Sequence, residues 1–273
     1  MANWDKIKER WNVEDRRGSK MATSVSWIWI GTIAIALAIG YFNWADSAIN
    51  FLWESIQNTQ VQERQIETTE FDWEDEYEVF VSKIMGSNDK LWKNSFASIW
   101  IEYKQPKLVL FRWATQSVCW WATSQSGPHY CSGDNTIYLD ETFFEEMEEK
   151  FWAKWWDVAE AYVVSHEYWH HIQNLLWITQ KVRTNSDSIK LELQADCLAW
   201  IWASTLKWKN ILEVGEINEA IDAAASVWDD RIQKKMTWYV NPDSWTHGSS
   251  AQRKKYFQIG YKYWDFEKCN TFK

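Results

Sequence analysis

Glycine is the first thing this sequence lacks. There are only nine in 273 residues, about half of what an average share of about 7% would supply. Proline is scarcer, with three, and none precedes Pro106. Basic excess is missing too. The formal net charge is −9 and no basic face can be found, so a nucleic-acid role has no electrostatic support. No C-x-x-C pair occurs among the four cysteines, which argues against a cysteine-rich zinc site. No internal repeat is present. With 46% apolar and 25% charged residues, the chain reads as globular rather than disordered. Its length suits one sizeable domain with attachments, or two small domains. Tryptophan is in excess instead, at 24 residues. The plain reading of that excess is an aromatic-rich binding surface, for example for sugars.

The run "VSWIWIGTIAIALAIGYF", residues 25–42, carries no charge and has the length of a short membrane-spanning helix. Lys6, Lys8, Arg10, Arg16, Arg17 and Lys20 precede it, and no Lys or Arg follows before Arg64. By the positive-inside rule this predicts a cytoplasmic tail over 1–24 and an extracytoplasmic remainder. Trp27, Trp29 and Tyr41 suit interfacial anchors. A buried core helix and a cleaved signal peptide are the alternatives, but the polar tail is long for a signal peptide. Residues 43–75 read as a polar, acidic stalk.

Apolar spacing returns near Tyr77 and predicts a domain over 76–273. Two short helices are expected within 77–100, strands at 107–113 and 135–140, and a helix from Glu141. Further helices are expected at 157–176, 187–206, 216–236 and 249–263. A few strands followed by helices indicate an α+β fold. Cys119, Cys131, Cys197 and Cys269 lie in the part expected outside, where two disulfides are allowed. Cys119–Cys131 closes a short loop and leaves Cys197–Cys269, although sequence permits three connectivities.

"SHEYWHH", residues 165–171, contains H-E-x-x-H. On a helix, residues i and i+4 share a face, so His166 and His170 aim two imidazoles at one spot. Glu167 can reach a water on a metal held there. That is the pattern of two zinc ligands and a general base; two ordinary histidines on a buried helix are its bland counterpart. A catalytic zinc takes three protein ligands and keeps one open position. "LELQADC" offers Glu192 and Asp196, also at i, i+4. Like charges at that spacing cost about 0.2–0.5 kcal/mol, which a nearby cation removes. Glu192 is read as the third ligand and Asp196 as an acceptor orienting a ligand histidine. Leu191, Leu193, Ala195, Cys197 and Leu198 make a solvated acidic face a poor alternative. His171, about 100° round from His170, reads as structural. His247, in "DSWTHGSSAQR", suits either an oxyanion donor or a helix-start residue capped by Ser249 or Ser250.

Taken together these stretches resemble the bacterial neutral zinc metallopeptidase family. The matching segments run almost the whole chain: "NVEDRR", "QPKLVLFR", "GPHYC", "IYLD", "AYVVSHE", "LELQADC", "DDR", "PDSWTHG" with "QR", and "CNTF". The resemblance implies a zincin-like, single-pass anchored peptidase that binds zinc through H-E-x-x-H and the downstream glutamate. It also pairs His247 with Arg253 near the metal. One departure is consistent. Tryptophan stands where the family pattern leads to glycine, at Trp113, Trp120, Trp169, Trp177, Trp200, Trp228 and Trp264; Trp202 fits the family pattern as tryptophan. Some bacterial lineages read UGA as glycine, and a single codon event accounts for one repeated replacement.

The expected activity is therefore zinc-dependent hydrolysis of peptide bonds at the cell membrane, with Glu167 as general base and His247 steadying the oxyanion. Peptide or protein is the substrate, and strand 135–140 is the candidate for pairing with it. The rival reading is a non-catalytic, zinc-stabilised or Trp-rich anchored scaffold.

Overall fold

The computed structural model describes residues 2–17, 75–123, 127–145, 156–213, 215–217 and 247–273. The apolar run 25–42, most of the expected stalk, Trp228 and most of the expected helix 216–236 lie outside them. Among the described residues no helix is long and apolar enough to cross a membrane.

The fold is α+β. Its main sheet has the order β1-β2-β6-β5, with β1 (Glu14–Asp15), β2 (Lys107–Phe111) and β6 (Thr136–Asp140) parallel and β5 (His129–Cys131) antiparallel to β6. β3 (Ala114–Gln116) and β4 (Trp121–Thr123) form a separate antiparallel pair. Alternation along β2 divides the core, because successive side chains take opposite faces. Leu108 and Leu110 join the large cluster with the helices, whereas Val109 and Phe111 pack with Ala122, Cys131 and Tyr138. The strand expected to pair with substrate, β6, is interior, held between β2 and β5. Its backbone is already committed on both sides, so that expectation moves to β5, an edge of the sheet.

Among the described residues, the helices with both ends described that cover the large cluster are α1 (Glu76–Ser98), α2 (Trp156–Leu175), α3 (Asn185–Trp208) and α4 (Ser250–Tyr263). Each start whose cap is described is chemically fixed. Asp75 accepts from the backbone of Tyr77 and Glu78, and Thr184/Asp187 and Ser249/Gln252 form reciprocal capping boxes. Where two short helices were expected there is one, α1, running through Gly86. That glycine does not break the helix. A Cβ there would come within 2.9 Å of the Arg10 backbone nitrogen, so it makes room for the N-terminal segment to cross.

That segment is not a separate tail. Residues 2–17 belong to the same compact unit as the rest of the described chain. Ile7 and Val13 are core residues, Ser82 bonds both the N–H and the carbonyl of Trp11, and β1 pairs with β2.

The helix ends carry an anomaly. α1, α2 and α4 each run into a tryptophan with positive φ: Trp100 at 57°, Trp177 at 61° and Trp264 at 54°. After α2, Ile178 N–H bonds the carbonyl of Gln173, the wrap-around bond of a helix terminus whose left-handed position is usually glycine. α3 ends similarly on Asn210, φ 52°, a residue that tolerates this region.

α3 and α4 touch backbone to backbone. A Cβ built on Gly260 would lie 1.9 Å from the carbonyl oxygen of Cys197. Gly260→Ala should therefore cost about 1–3 kcal/mol through overpacking. Gly215→Ala, with nothing within 4 Å of its added Cβ, should stay within about 0.5 kcal/mol. Denaturant unfolding of the two variants checks both, and equal stabilities would contradict the close approach.

Candidate metal centre

α2 and α3 pack across each other so that His166, His170 and Glu192 converge, with one donor atom from each within 4.8 Å of the others. His166 Nε2 lies 3.1 Å from Glu192 Oε2 and 3.1 Å from His170 Nε2, and His170 Nε2 lies 3.4 Å from Glu192 Oε1. Tetrahedral zinc with bonds of about 2.0–2.1 Å sets neighbouring ligand atoms about 3.3 Å apart. The two histidine nitrogens have about that spacing, and Glu192 turns one oxygen toward each of them. They also turn electron pairs toward one point, an arrangement that repels itself unless a cation or proton sits between them.

The electrostatics agree. Burial disfavours charge on His166, but the carboxylates of Asp196 and Glu192 outweigh it and raise its pKa to about 10. His170 is raised in the same way, with Glu192 outweighing burial. Burial would raise Glu192, yet the two histidines hold it well below the usual carboxylate range. The pocket favours positive charge at its centre, and the donor set fits zinc.

A second layer holds the first. Asp196 Oδ1 lies 3.1 Å from His166 Nδ1. Arg253 from α4 grips the same carboxylate with two bonds, Nε to Oδ2 at 2.7 Å and Nη2 to Oδ1 at 2.6 Å. Against the effect of burial, Arg253 keeps the Asp196 pKa down at about 2. Tyr162 donates its hydroxyl to Asp196 and accepts from Arg253. On the other side, Gln173 Oε1 sits 2.9 Å from His170 Nδ1, while its amide donates to the Leu191 carbonyl and to Gln194 Oε1. With Nδ1–H donating to Gln173, His170 presents an unprotonated Nε2 to the centre.

Sequence reasoning anticipated Asp196 and Arg253 but missed Tyr162 and Gln173. Tyr162 had a usable signal: it precedes His166 by four residues and so shares its face. Gln173 had only its position three residues after His170, a weak cue. Glu167 is buried on α2 beside His166. His171 is structural as expected. Its ring nitrogens lie 3.1 Å from the Tyr130 hydroxyl and 2.7 Å from the Lys104 carbonyl, and burial lowers its pKa to about 4.

Trp169 is fully buried, edge-on to Trp92 of α1 with ring centroids 3.9 Å apart, closer than the usual range of about 4.5–7 Å. His247 is exposed and immediately precedes Gly248, whose added Cβ would meet Ile189 and Leu193, on the part of α3 that carries Glu192. The capping role falls to Ser249. Both disulfides have the pairing favoured by loop length, Cys119–Cys131 and Cys197–Cys269.

Residues 2–272 match a family described as "Putative neutral zinc metallopeptidase". The chain is similar to the uncharacterized protein YpfJ of Escherichia coli (strain K12), 34% identical over 288 residues and covering 98% of each chain. It is also similar to the uncharacterized protein Rv2575 of Mycobacterium tuberculosis (strain ATCC 25618 / H37Rv). That relative is 39% identical over 201 residues, which is 68% of this chain and 67% of its own. No solved structure matches.

Glu192→Ala should remove most of the bound zinc. Gln173→Ala should weaken zinc binding by about 10–100-fold, as loss of an outer partner does. Metal content and competition with a chelator measure both. Unchanged zinc in Glu192→Ala would displace it from the ligand set.

Proposed function

This chain belongs to the neutral zinc metallopeptidase family, and on that premise we propose that it is a zinc-dependent endopeptidase acting at a membrane. The observation that carries the reading is the convergence of His166, His170 and Glu192 with Glu167 beside them. When bound, zinc supplies an electrophile that acidifies water and polarises a carbonyl. His166, His170 and Glu192 would hold it. Glu167 takes the proton of the attacking water and returns it to the leaving amine. His247 donates to the developing oxyanion, a role supported by its attachment to Gly248 against α3. An extended peptide adds to the open edge of β5, whose Tyr130 touches His171 of α2. Attachment to the membrane is assigned to the run 25–42 by its sequence.

We infer further that many of the tryptophans are glycine in the cell. Three of the suspected positions, Trp113, Trp177 and Trp264, have positive φ, which is an outlier for a bulky side chain and ordinary for glycine. Trp169 and Trp200 bury indole N–H groups that have no hydrogen-bond partner, a costly arrangement. Trp202, the position expected to be a true tryptophan, donates its N–H to Ser87 at 2.9 Å.

Glu167→Gln should abolish peptide hydrolysis while zinc content stays the same. Hydrolysis undiminished in that variant would return the protein to the scaffold reading. For the tryptophans, peptide mass spectrometry of the protein from its own cell should read glycine at 113, 169, 177, 200 and 264 and tryptophan at 202. In the chain as written, Trp177→Gly should add about 1–3 kcal/mol of stability by relieving its backbone. Tryptophan found at 177 and 264 in the native protein ends the recoding idea.

A further inference from the structure

We propose that residues 1–17 and residues 75–273 lie on the same, oxidising side of the membrane, so that the run 25–42 holds the protein from one face. The proposal rests on the reading that this run enters a lipid bilayer. Its own support comes from either side of that run.

The first observation is integration. The N-terminal segment is built into the domain that carries the metal centre. Glu14 and Asp15 pair in register with Val109 and Leu110 of β2. The Arg16 N–H bonds the Leu110 carbonyl at 2.7 Å, and the Asn3 N–H bonds that of Ile211 at 2.8 Å. Ile7 and Val13 are each 2% exposed. The helix it crosses is fitted to it, since Gly86 of α1 leaves no space for a Cβ under the Arg10 backbone. One folded unit cannot have its strand β1 on one side of a bilayer and β2 on the other.

The second observation is closure. Arg17, just before residues 18–74, forms an ion pair with Asp75, just after them. The same guanidinium reaches Asp15 at 2.7 Å, Glu141 at 3.2 Å and Glu78 at 3.5 Å. Both ends of the intervening stretch are therefore fixed at one spot. Asp15, Asp75 and Glu78 have the spacing of a cation site, and the cation they hold is Arg17.

The third observation removes the contrary signal. Of the six basic residues that pointed to a cytoplasmic N-terminus, the five among the described residues, Lys6, Lys8, Arg10, Arg16 and Arg17, have partners in the fold. Arg16 pairs with Glu14. Lys6 and Lys8 donate to the carbonyls of Asn210 and Asp5. Arg10 donates to those of Ile7 and Glu9. The positive-inside rule orients flanking segments that can lie on either side of a bilayer, and a segment whose β1 pairs with β2 goes where the rest of that unit goes. The two disulfides of the same unit then select the oxidising face.

The test uses the full chain in its membrane. All four native cysteines are paired, so single cysteines introduced as Lys8→Cys and Lys255→Cys report alone. Both positions are exposed. Spheroplasts are treated with a membrane-impermeant maleimide, and labelling is normalised to detergent-denatured protein. Equal labelling at both positions without permeabilisation is the expected result. Labelling at Lys255→Cys with protection at Lys8→Cys overturns the proposal and restores a single crossing. Protection of both until lysis overturns the assignment to the oxidising face. Recovery of the protein in the soluble fraction after an alkaline wash rejects membrane attachment itself and takes the proposal with it.

Discussion

The candidate metal centre depends on one buried ion pair, Arg253 with Asp196. Glu192 and Asp196 sit one turn apart on α3, and two bare carboxylates there would repel each other and resist burial. Arg253 neutralises the inner one, leaving Glu192 as the negative charge available to a metal. Asp196 then faces His166 with its own position fixed. Arg253 reaches this depth only because α4 lies against α3 without a side chain between the backbones at Gly260. A helix contact seven residues away thus sets the geometry of the ligands. The pair's contribution is orientation more than net stability, because burying two charges costs much of what their attraction returns.

The first layer of the site was legible because it is local and periodic. His166 and His170 announce themselves by i, i+4 spacing, and Glu192 and Asp196 repeat that spacing inside an apolar helix. The outer layer was legible only where it carries charge. Tyr162 and Gln173 look like any polar residues on a half-buried helix until their partners are known. Helices α2, α3 and α4 were placed within about two residues because each is long and periodic. β3, β4 and β5 are three residues each, too short to show alternation, and β1 is defined only by its partner 95 positions along the chain. The N-terminal segment was hard to read for the same reason: nothing local to Arg17 shows that it meets Asp75, Glu78 and Glu141.

The tryptophan excess takes on a different character once backbone angles are considered. A binding surface would gather aromatic rings on one face in ordinary conformations. Here tryptophans close three helices and the tight bend between β2 and β3 at left-handed positions, and others fill the interior with indole nitrogens that bond to nothing. Local preference and global fold disagree at these residues while agreeing elsewhere, and natural sequences avoid conflict of that kind.

The Cys197–Cys269 bridge bears on the order in which the site assembles. The three candidate ligands lie within a stretch from 166 to 192, so α2 and α3 can bring them together by closing a short loop. Arg253 is 57 positions from Asp196, and docking α4 requires a longer closure whose entropic cost grows with the logarithm of length. Cys197 is the next residue after Asp196, and its bridge spans 72 positions. In the chain-entropy picture, such a crosslink removes about 4 kcal/mol of disorder from the unfolded chain. Oxidation therefore acts on the late, non-local half of the site. The reduced chain can gather its ligands but holds Arg253 loosely, and the bridge turns that loose encounter into a standing part of the fold.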